Sequence, residues 1–513
     1  MTTPKTCAYT YEFTGFRCTL PAWEGHDTLM CILHDPHPGK PMERFNAALE
    51  EKVMRDEADD AAREINLAGV AFPTYLDWSG RTVGKPVSFR KASFSGAADF
   101  SRATFRGDAD FWGATFHGDA AFTRATFCGA AHFYQATFSA DAVFSGARFS
   151  GNASFSEATF HADANFWKAG FNAAALFSEA TFRADAYFSE SSFGGFAFFS
   201  EATFNGVANF GGATFSGDAS FTGATFSGAA YFSEATFSGT ASFSWATFKE
   251  SVSFEGTRFP PRDSRYDIGF ERVTFQRPSV TYFWHVDLSR ASFLYTDVRE
   301  VKFMGVTWAS LPEHALWPLP LFKRWKAGRH GIRSHLELEE ARRGRAAPGS
   351  PQAAESPDAK EQREEVLRTH RSVAEQYRLL RLNYETSKQE IEAGDFYIGQ
   401  MDMRRLDNDN KEYPWLYRAL LNGYRTVALY GESYLRPLIF YLAFSLLFAW
   451  GYQWRGCASY ADGLFTALTA GALFRDVPVC IDDAEKILVY FNMLADILLL
   501  GLALVAMRRR FHR

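Results

Sequence analysis

Between Phe89 and Phe259 a phenylalanine recurs at steps that alternate five and six, giving 32 Phe without a miss. The repeat unit is therefore eleven residues, as in Ala103 to Gly113 or Ala213 to Gly223, with a small residue two before nearly every Phe. Such steps place successive Phe at about 500° and 600° around an α-helix, on different sides, and an ordinary strand has a period of two, so neither element alone explains the ladder. A solenoid does, if every fifth or sixth residue turns inward at one face of a coil. The extra residue of the six-step falls two after a Phe and is usually Gly (Gly107, Gly118, Gly129, Gly151, Gly217, Gly228, Gly239) or Ala. That choice suits a widened corner where a Cβ is costly.

This pattern resembles the pentapeptide-repeat family, whose motif A(D/N)(L/F)xx places its central Leu or Phe inside. The flanks keep the family's strict step of five, at Leu67 and Phe72 and again at Leu288, Phe293, Val298, Phe303 and Trp308. The resemblance implies a mainly β protein, a right-handed quadrilateral β-helix, here with 22 residues per coil and two enlarged corners in each. Four faces per coil make eight coils of the ladder, roughly 38 Å long at ~4.8 Å per strand. Some members mimic DNA and bind topoisomerase, which needs an acidic surface. Residues 85 to 259 carry 15 acidic and 11 basic side chains, so that reading ranks below a rigid docking surface.

At the N-terminus, Cys7, Cys18, Cys31 and His34 follow C-x10-C-x12-C-x2-H. Three thiolates and an imidazole make a closed tetrahedral set for structural Zn²⁺, with no position left open for catalysis. His26 or His37 are alternatives to His34. The segment from Cys31 to Pro36, with Gly69 to Pro73, also resembles the lead-in of membrane-linked pentapeptide-repeat proteins. Residues 42–65 contain neither Pro nor Gly and predict a helix that plugs the open end of the solenoid. The expected order is thus a 1–41 zinc cap, a 42–65 capping helix and a 66–310 β-helix.

Residues 311–362 form a basic segment and a Pro/Ala/Ser linker, and 363–436 juxtamembrane helices. Lys323, Arg324, Lys326, Arg329 and Arg333 beside Trp317 and Trp325 suit either a solvated face or anionic headgroups. A heptad-like pattern predicts one helix over 361–393, able to self-associate or to pack on its neighbour. A second helix is expected from Asp395, placed after Gly394 as its N-cap.

Two apolar segments close the sequence. Pro437 to Trp454 carry no charge and Ile487 to Met507 carry one; at 1.5 Å per residue they extend about 27 and 31 Å, enough to cross a bilayer. Lys and Arg at 411, 418, 425, 436, 508, 509, 510 and 513 flank them, against three in the loop between, so both termini are expected in the cytoplasm of a two-span cell-membrane protein. The N-terminus shows no apolar signal-peptide core, and six Cys at irregular spacing do not make a secreted disulfide scaffold.

The loop of 455–486 has the order of two-transmembrane tetrameric cation channels: span, short pore helix (460–474), filter, span. Its filter-equivalent stretch, with Thr466, Thr469 and Gly471, lacks the second Gly and the Tyr of potassium filters, which resemble TVGYG. Asp496 and Asn492 share one face inside the second span and are further pore candidates. Cys457 and Cys480 bracket the loop on the outer side, where a disulfide can form. The expected protein is a channel-like, homo-oligomeric membrane module, tetrameric if it conducts, carrying the solenoid as a docking or sensor domain for a cytoplasmic protein partner. The alternative is a non-conducting membrane-tethered scaffold. With a net charge of -5, nucleic acid is not an expected partner, and no nucleophile, cofactor loop or open metal site suggests an enzyme.

Overall fold

The computed structural model describes residues 6–10, 18–24, 29–37, 39–260, 267–308, 370–406, 415–454, 459–469 and 483–511. Two compact units divide the chain, residues 1–310 and 311–513.

The first unit is a parallel β-solenoid of about eleven turns. Its two-residue strands stack into four sheets of 11, 10, 11 and 8 strands. Each ladder strand pairs in parallel with the strand one coil on: Thr115 with Thr137, Phe116 with Phe138. The last coil returns to twenty residues, where Tyr282 pairs with Lys302, in keeping with the flanking five-steps. Within each strand one residue enters the interior and its neighbour faces out, the ordinary alternation of a pleated backbone.

The interior is Phe packed on Phe. Successive coils stack rings face to face, as Phe111 on Phe133 at 4.7 Å and 2°, while neighbouring faces meet edge-on, as Phe111 with Phe122 at 5.6 Å and 87°. Parallel, offset stacking and edge-to-face contact are the favoured aromatic geometries, each pair contributing about 0.5–1.5 kcal/mol beyond burial. The small residue two before each Phe is buried as well, because a larger side chain there would collide with the rings (Ala114, Ala125, Ala136 are fully buried).

The two kinds of corner divide their roles. At the six-step corners the backbone of successive coils nearly touches: a Cβ on Gly118 would lie 2.6 Å from the Gly96 carbonyl carbon, and on Gly217 2.4 Å from the Gly195 oxygen. The next residue uses a short polar side chain to bind the following coil. Asp108 Oδ1 accepts from the Ala130 N–H at 2.7 Å, Asp185 from Val207 at 2.8 Å, and Asp218 from Thr240 at 2.8 Å. The left-handed backbone lies instead at the five-step corners, and mostly on residues with long charged side chains: Arg102, Arg124, Glu157, Lys168, Glu179 and Glu201 have φ of 55–59°.

Helix α1 (Met42–Ala58) covers the N-terminal end. Phe45 meets Phe72 edge-on at 5.8 Å, and Arg81 forks onto the Glu50 carboxylate at 2.7 and 3.0 Å. The expected helix over 42–65 is thus shorter. Lys85 Nζ takes the carbonyls of Asp56, Asp59 and Ala62, and Ile65 already pairs with Val87 as the first strand.

In the second unit, α2 (His370–Thr386) packs on α3 (Glu390–Leu406). The break falls at Lys388, left-handed at φ 57°, and not at Gly394, which is helical together with Asp395. The expectation of one helix over 361–393 is corrected accordingly; residues 361–369 lie outside the described part. Gly394 inside a helix is tolerated here because the α2–α3 contact, with Tyr377, Tyr384 and Phe396 all buried, outweighs its weak propensity. Then follow α4 (Trp415–Ala428), α5 (Leu435–Trp454), α6 (Tyr460–Thr469) and α7 (Asp483–Phe511). Helices α5 and α7 are each long and apolar enough to cross a membrane, and α5 packs on both α6 and α7.

Candidate metal centre and membrane-helix cluster

Cys7, Cys18, Cys31 and His34 are all buried and come together, with their ligand atoms within 4.8 Å of one another. The turn at 31–35 brings the last two side by side, since the His34 and Asp35 N–H groups both return to the Cys31 carbonyl. Cys31 Sγ lies 3.1 Å from His34 Nδ1, Cys18 Sγ 3.9 Å from Cys31 Sγ, and Cys7 Sγ 3.8 Å from His34 Nδ1. A tetrahedron with 2.3 Å metal–sulfur arms has edges of about 3.8 Å, so this donor set fits Zn²⁺. His34 Nε2 sits 3.1 Å from the Ala68 carbonyl, an outer partner that turns Nδ1 toward the sulfurs. Tyr9 stacks on His34 at 4.1 Å, and its hydroxyl occupies the space a Cβ on Gly69 would need, 1.9 Å away.

The sulfurs act on one another's protons. Hydrogen bonds from Cys18 and Cys31 pull the Cys7 thiol far down, while Cys31, facing the Cys18 and Cys7 sulfurs, is pushed up. Burial alone would lower His34, but the Cys18 and Cys7 sulfurs outweigh it and raise the imidazole. A divalent cation held by these four residues would replace the shared-proton arrangement with direct bonds and relieve the crowding of thiolates. His37 is turned away, its Nδ1 accepting from the Gly39 N–H; His26 lies outside the described residues.

The second cluster lies among α5, α6 and α7. Helix α6 runs antiparallel to α5: Gly463 lies against Ala449, and Tyr441 Oη donates to the Leu468 carbonyl at 2.5 Å. From α7, Asn492 Nδ2 donates to the Ala467 carbonyl at 3.2 Å. The last-turn carbonyls of α6 are therefore held from both long helices. Asn492 and Asp496 are fully buried, as is Ser445, whose hydroxyl donates to the Tyr441 carbonyl. Thr466 and Thr469 fall within α6; Gly471, Cys457 and Cys480 lie outside the described residues, and so do the filter-equivalent chain and the expected disulfide. Outward, α5 presents Leu442, Phe444, Leu447 and Trp450 and α7 presents Tyr490, Phe491, Leu494 and Leu498, all exposed.

Sequence reasoning missed a third cluster at the start of α5. Buried Asp402 accepts from Tyr430 Oη at 2.8 Å, Arg425 Nε at 2.8 Å and Arg405 Nε at 3.3 Å. Tyr430 is fully buried within three consecutive left-handed residues, Leu429, Tyr430 and Gly431. Burial first, then the Asp402 charge, raise its phenol. The signal in the sequence was a Tyr-Gly pair ahead of Arg436-Pro437, too short to specify a turn by itself.

Residues 82–126, 122–170, 177–225 and 221–260 match the family described as pentapeptide repeats (9 copies). Among solved structures, full-length QnrB1, a plasmid-mediated fluoroquinolone resistance protein, aligns at 17% identity over 46% of this chain and 92% of its own, with a TM-score of 0.14. A trypsin-treated form of QnrB1 aligns at 19% identity over 46% and 88%, with a TM-score of 0.13. A comparison with curated protein sequences gives no match.

Proposed function

We propose that this chain, whose solenoid belongs to the pentapeptide-repeat family, is a two-span membrane protein with a channel-like base and a cytoplasmic docking or sensor rod. The observation that carries the reading is the arrangement of α6, a short helix folded back between two long apolar helices, its C-terminal carbonyls held by Tyr441 and Asn492. Backbone polar groups at membrane depth need partners within the protein, and the last-turn carbonyls of α6 find them on both long helices, as the short helix of a pore loop would. The apolar outer faces of α5 and α7 suit lipid and further copies of the chain; a tetramer is the assembly such a loop requires. The Cys3His set holds a structural Zn²⁺ that fastens residues 7–34 to the first coil through Ala68.

Reconstitution into liposomes, with cation flux and the mass in detergent measured on the same preparation, tests this. A flux-competent oligomer is expected, whereas a monomer without flux refutes the channel-like reading. The tethered scaffold has one specific support: Tyr231, Tyr282, Trp284 and Met304 stand exposed on a single face of the last coils, suited to an unidentified cytoplasmic protein. It predicts that replacing α5 to α7 with an unrelated anchor leaves activity in cells intact.

A further inference from the structure

At the five-step corners of the solenoid each coil contributes one left-handed residue, and these residues stack in a column. Glu201, Gly223, Trp245, Arg272 and Tyr295 follow one another along it, since the N–H of each of the first four pairs at 2.9 Å with the carbonyl just before the next. Arg272 fills its rung between two rings, with its guanidinium carbon 4.5 Å from the Trp245 ring and 4.9 Å from the Tyr295 ring. Its Nε makes no hydrogen bond among the described residues, so cation–π attraction, which acts within about 6 Å of a ring centroid, is what holds it. On the other side of Trp245 the column has a gap. Gly223, at φ 69°, carries no side chain, and a Cβ on it would lie 3.3 Å from Glu201 Cγ and within 4 Å of no atom of Trp245. Strands one coil apart lie about 4.8 Å apart, so Trp245 and Glu201, two rungs apart, leave about 9.6 Å between them, the interval that Arg272 spans between Trp245 and Tyr295. Trp245 is 45% exposed, and with Arg272 on one face its other face looks over the Gly223 rung. Gly146, by contrast, lies between Arg124 and Lys168, and Gly212 between Glu190 and Glu234, without a ring.

We infer that the Gly223 rung is a docking slot for an arginine side chain of a protein partner, stacked on the open face of Trp245 and paired with the Glu201 carboxylate. A guanidinium suits it better than an ammonium, because its plane fits an interval one ring deep while its edge N–H groups fork onto a carboxylate. With Glu201 in the place of Tyr295, the slot repeats for a partner what the chain already does for Arg272. Glu201 and Glu179, the next rung along, are exposed and make no ion pair among the described residues, so their charge is available to a basic segment lying along the corner. The slot rests on the docking reading of the rod and deepens it by naming the chemistry the partner presents.

The test uses the full-length protein in detergent, labelled with fluorotryptophan, the Trp245 resonance being assigned by its loss in Trp245→Leu. A capped peptide of one arginine between two glycines is titrated at fixed ionic strength. A saturable shift of the Trp245 resonance is expected, severalfold weaker with lysine in place of arginine and absent with neutral citrulline. Gly223→Gln should lose the shift while the circular dichroism of the solenoid is unchanged, since Gln135 already stands in the same column at φ 56°. Glu201→Gln should weaken the apparent affinity about threefold. No shift with the arginine peptide overturns the inference, as does an equal shift with the lysine or citrulline peptide, or a full response in Gly223→Gln. Should Gly223→Gln not fold, Glu201→Lys decides: loss of the response supports the slot, and its retention refutes it. A failed slot would leave the exposed face of Tyr282 and Trp284 as the docking surface, whereas peptide binding by a monomer without flux would remove the channel-like reading and leave the slot standing.

Discussion

The solenoid and the C-terminal helices bury opposite kinds of side chain. Coils of the ladder put Phe and Ala inside and Thr, Ser, Asp and Glu outside. Around α5 and α7 the order reverses, with Ser445, Asn492 and Asp496 fully buried while Leu442, Leu447, Leu494 and Leu498 point outward. The first arrangement is that of an element surrounded by water, and the second is the one that a lipid surround would favour. Overall apolar content is therefore a poor guide to environment, and which side of an element carries the apolar groups is a good one.

The largest effect should come from the solenoid interior. Phe166 touches Phe144 and Phe188 face to face at 4.8 Å on each side, so Phe166→Ala leaves a void in a stack that cannot collapse without unstacking its neighbours. A loss of about 3–5 kcal/mol is expected in chemical denaturation of the full-length protein followed by β-structure circular dichroism. A loss below about 1 kcal/mol would mean that the rings are not continuously packed. Metal removal should be comparably severe but local. A chelator, or Cys18→Ser, is expected to abolish one bound zinc per chain and expose residues 7–40 to protease while the ladder stays folded. Uniform protection with and without chelator would count against a metal clip.

The outer face of α7 gives the sharpest contrast. Leu498→Lys should cost about 2.5–3.5 kcal/mol of membrane insertion if that face meets lipid. An exposed position on a water-soluble helix would change by less than about 0.5 kcal/mol. Glycosylation-mapping of insertion separates the two. The smallest effect belongs to the corners: Asp218→Ala removes the acceptor for the Thr240 N–H and should lower stability by about 1 kcal/mol in the same denaturation assay. No change there would show that the corner carboxylates are surface charge only, available to a partner.

The ladder was legible because its cause is global: one spacing, repeated over 171 positions from Phe89 to Phe259, admits one way of bringing every ring to one axis. That Cys7, Cys18, Cys31 and His34 come together was legible for a related reason, since Cys31 and His34 are close in sequence and the set as a whole has the composition of one tetrahedral metal site. What stayed hidden depends on contacts between distant segments. The left-handed corners at Glu157 or Lys168 bear no Gly to announce them, because coil pairing on both sides imposes the turn at a cost of about 1–2 kcal/mol. The end of α1 at Ala58 is set by Lys85, and the placement of α6 against α5 and α7 by Tyr441 and Asn492. Neither is written in local propensity. The acidic corner residues, read from composition as surface charge, are largely acceptors for the next coil, which weakens the DNA-mimic alternative further.

Alkaline carbonate extraction of membranes from cells making the full-length chain tests the inverted arrangement most directly. The protein is expected to stay with the membrane pellet, with the solenoid still folded and accessible from the cytoplasmic side. Recovery of the intact chain in the soluble fraction would contradict it, since α5 and α7 would then be burying their outward Leu and Phe against protein.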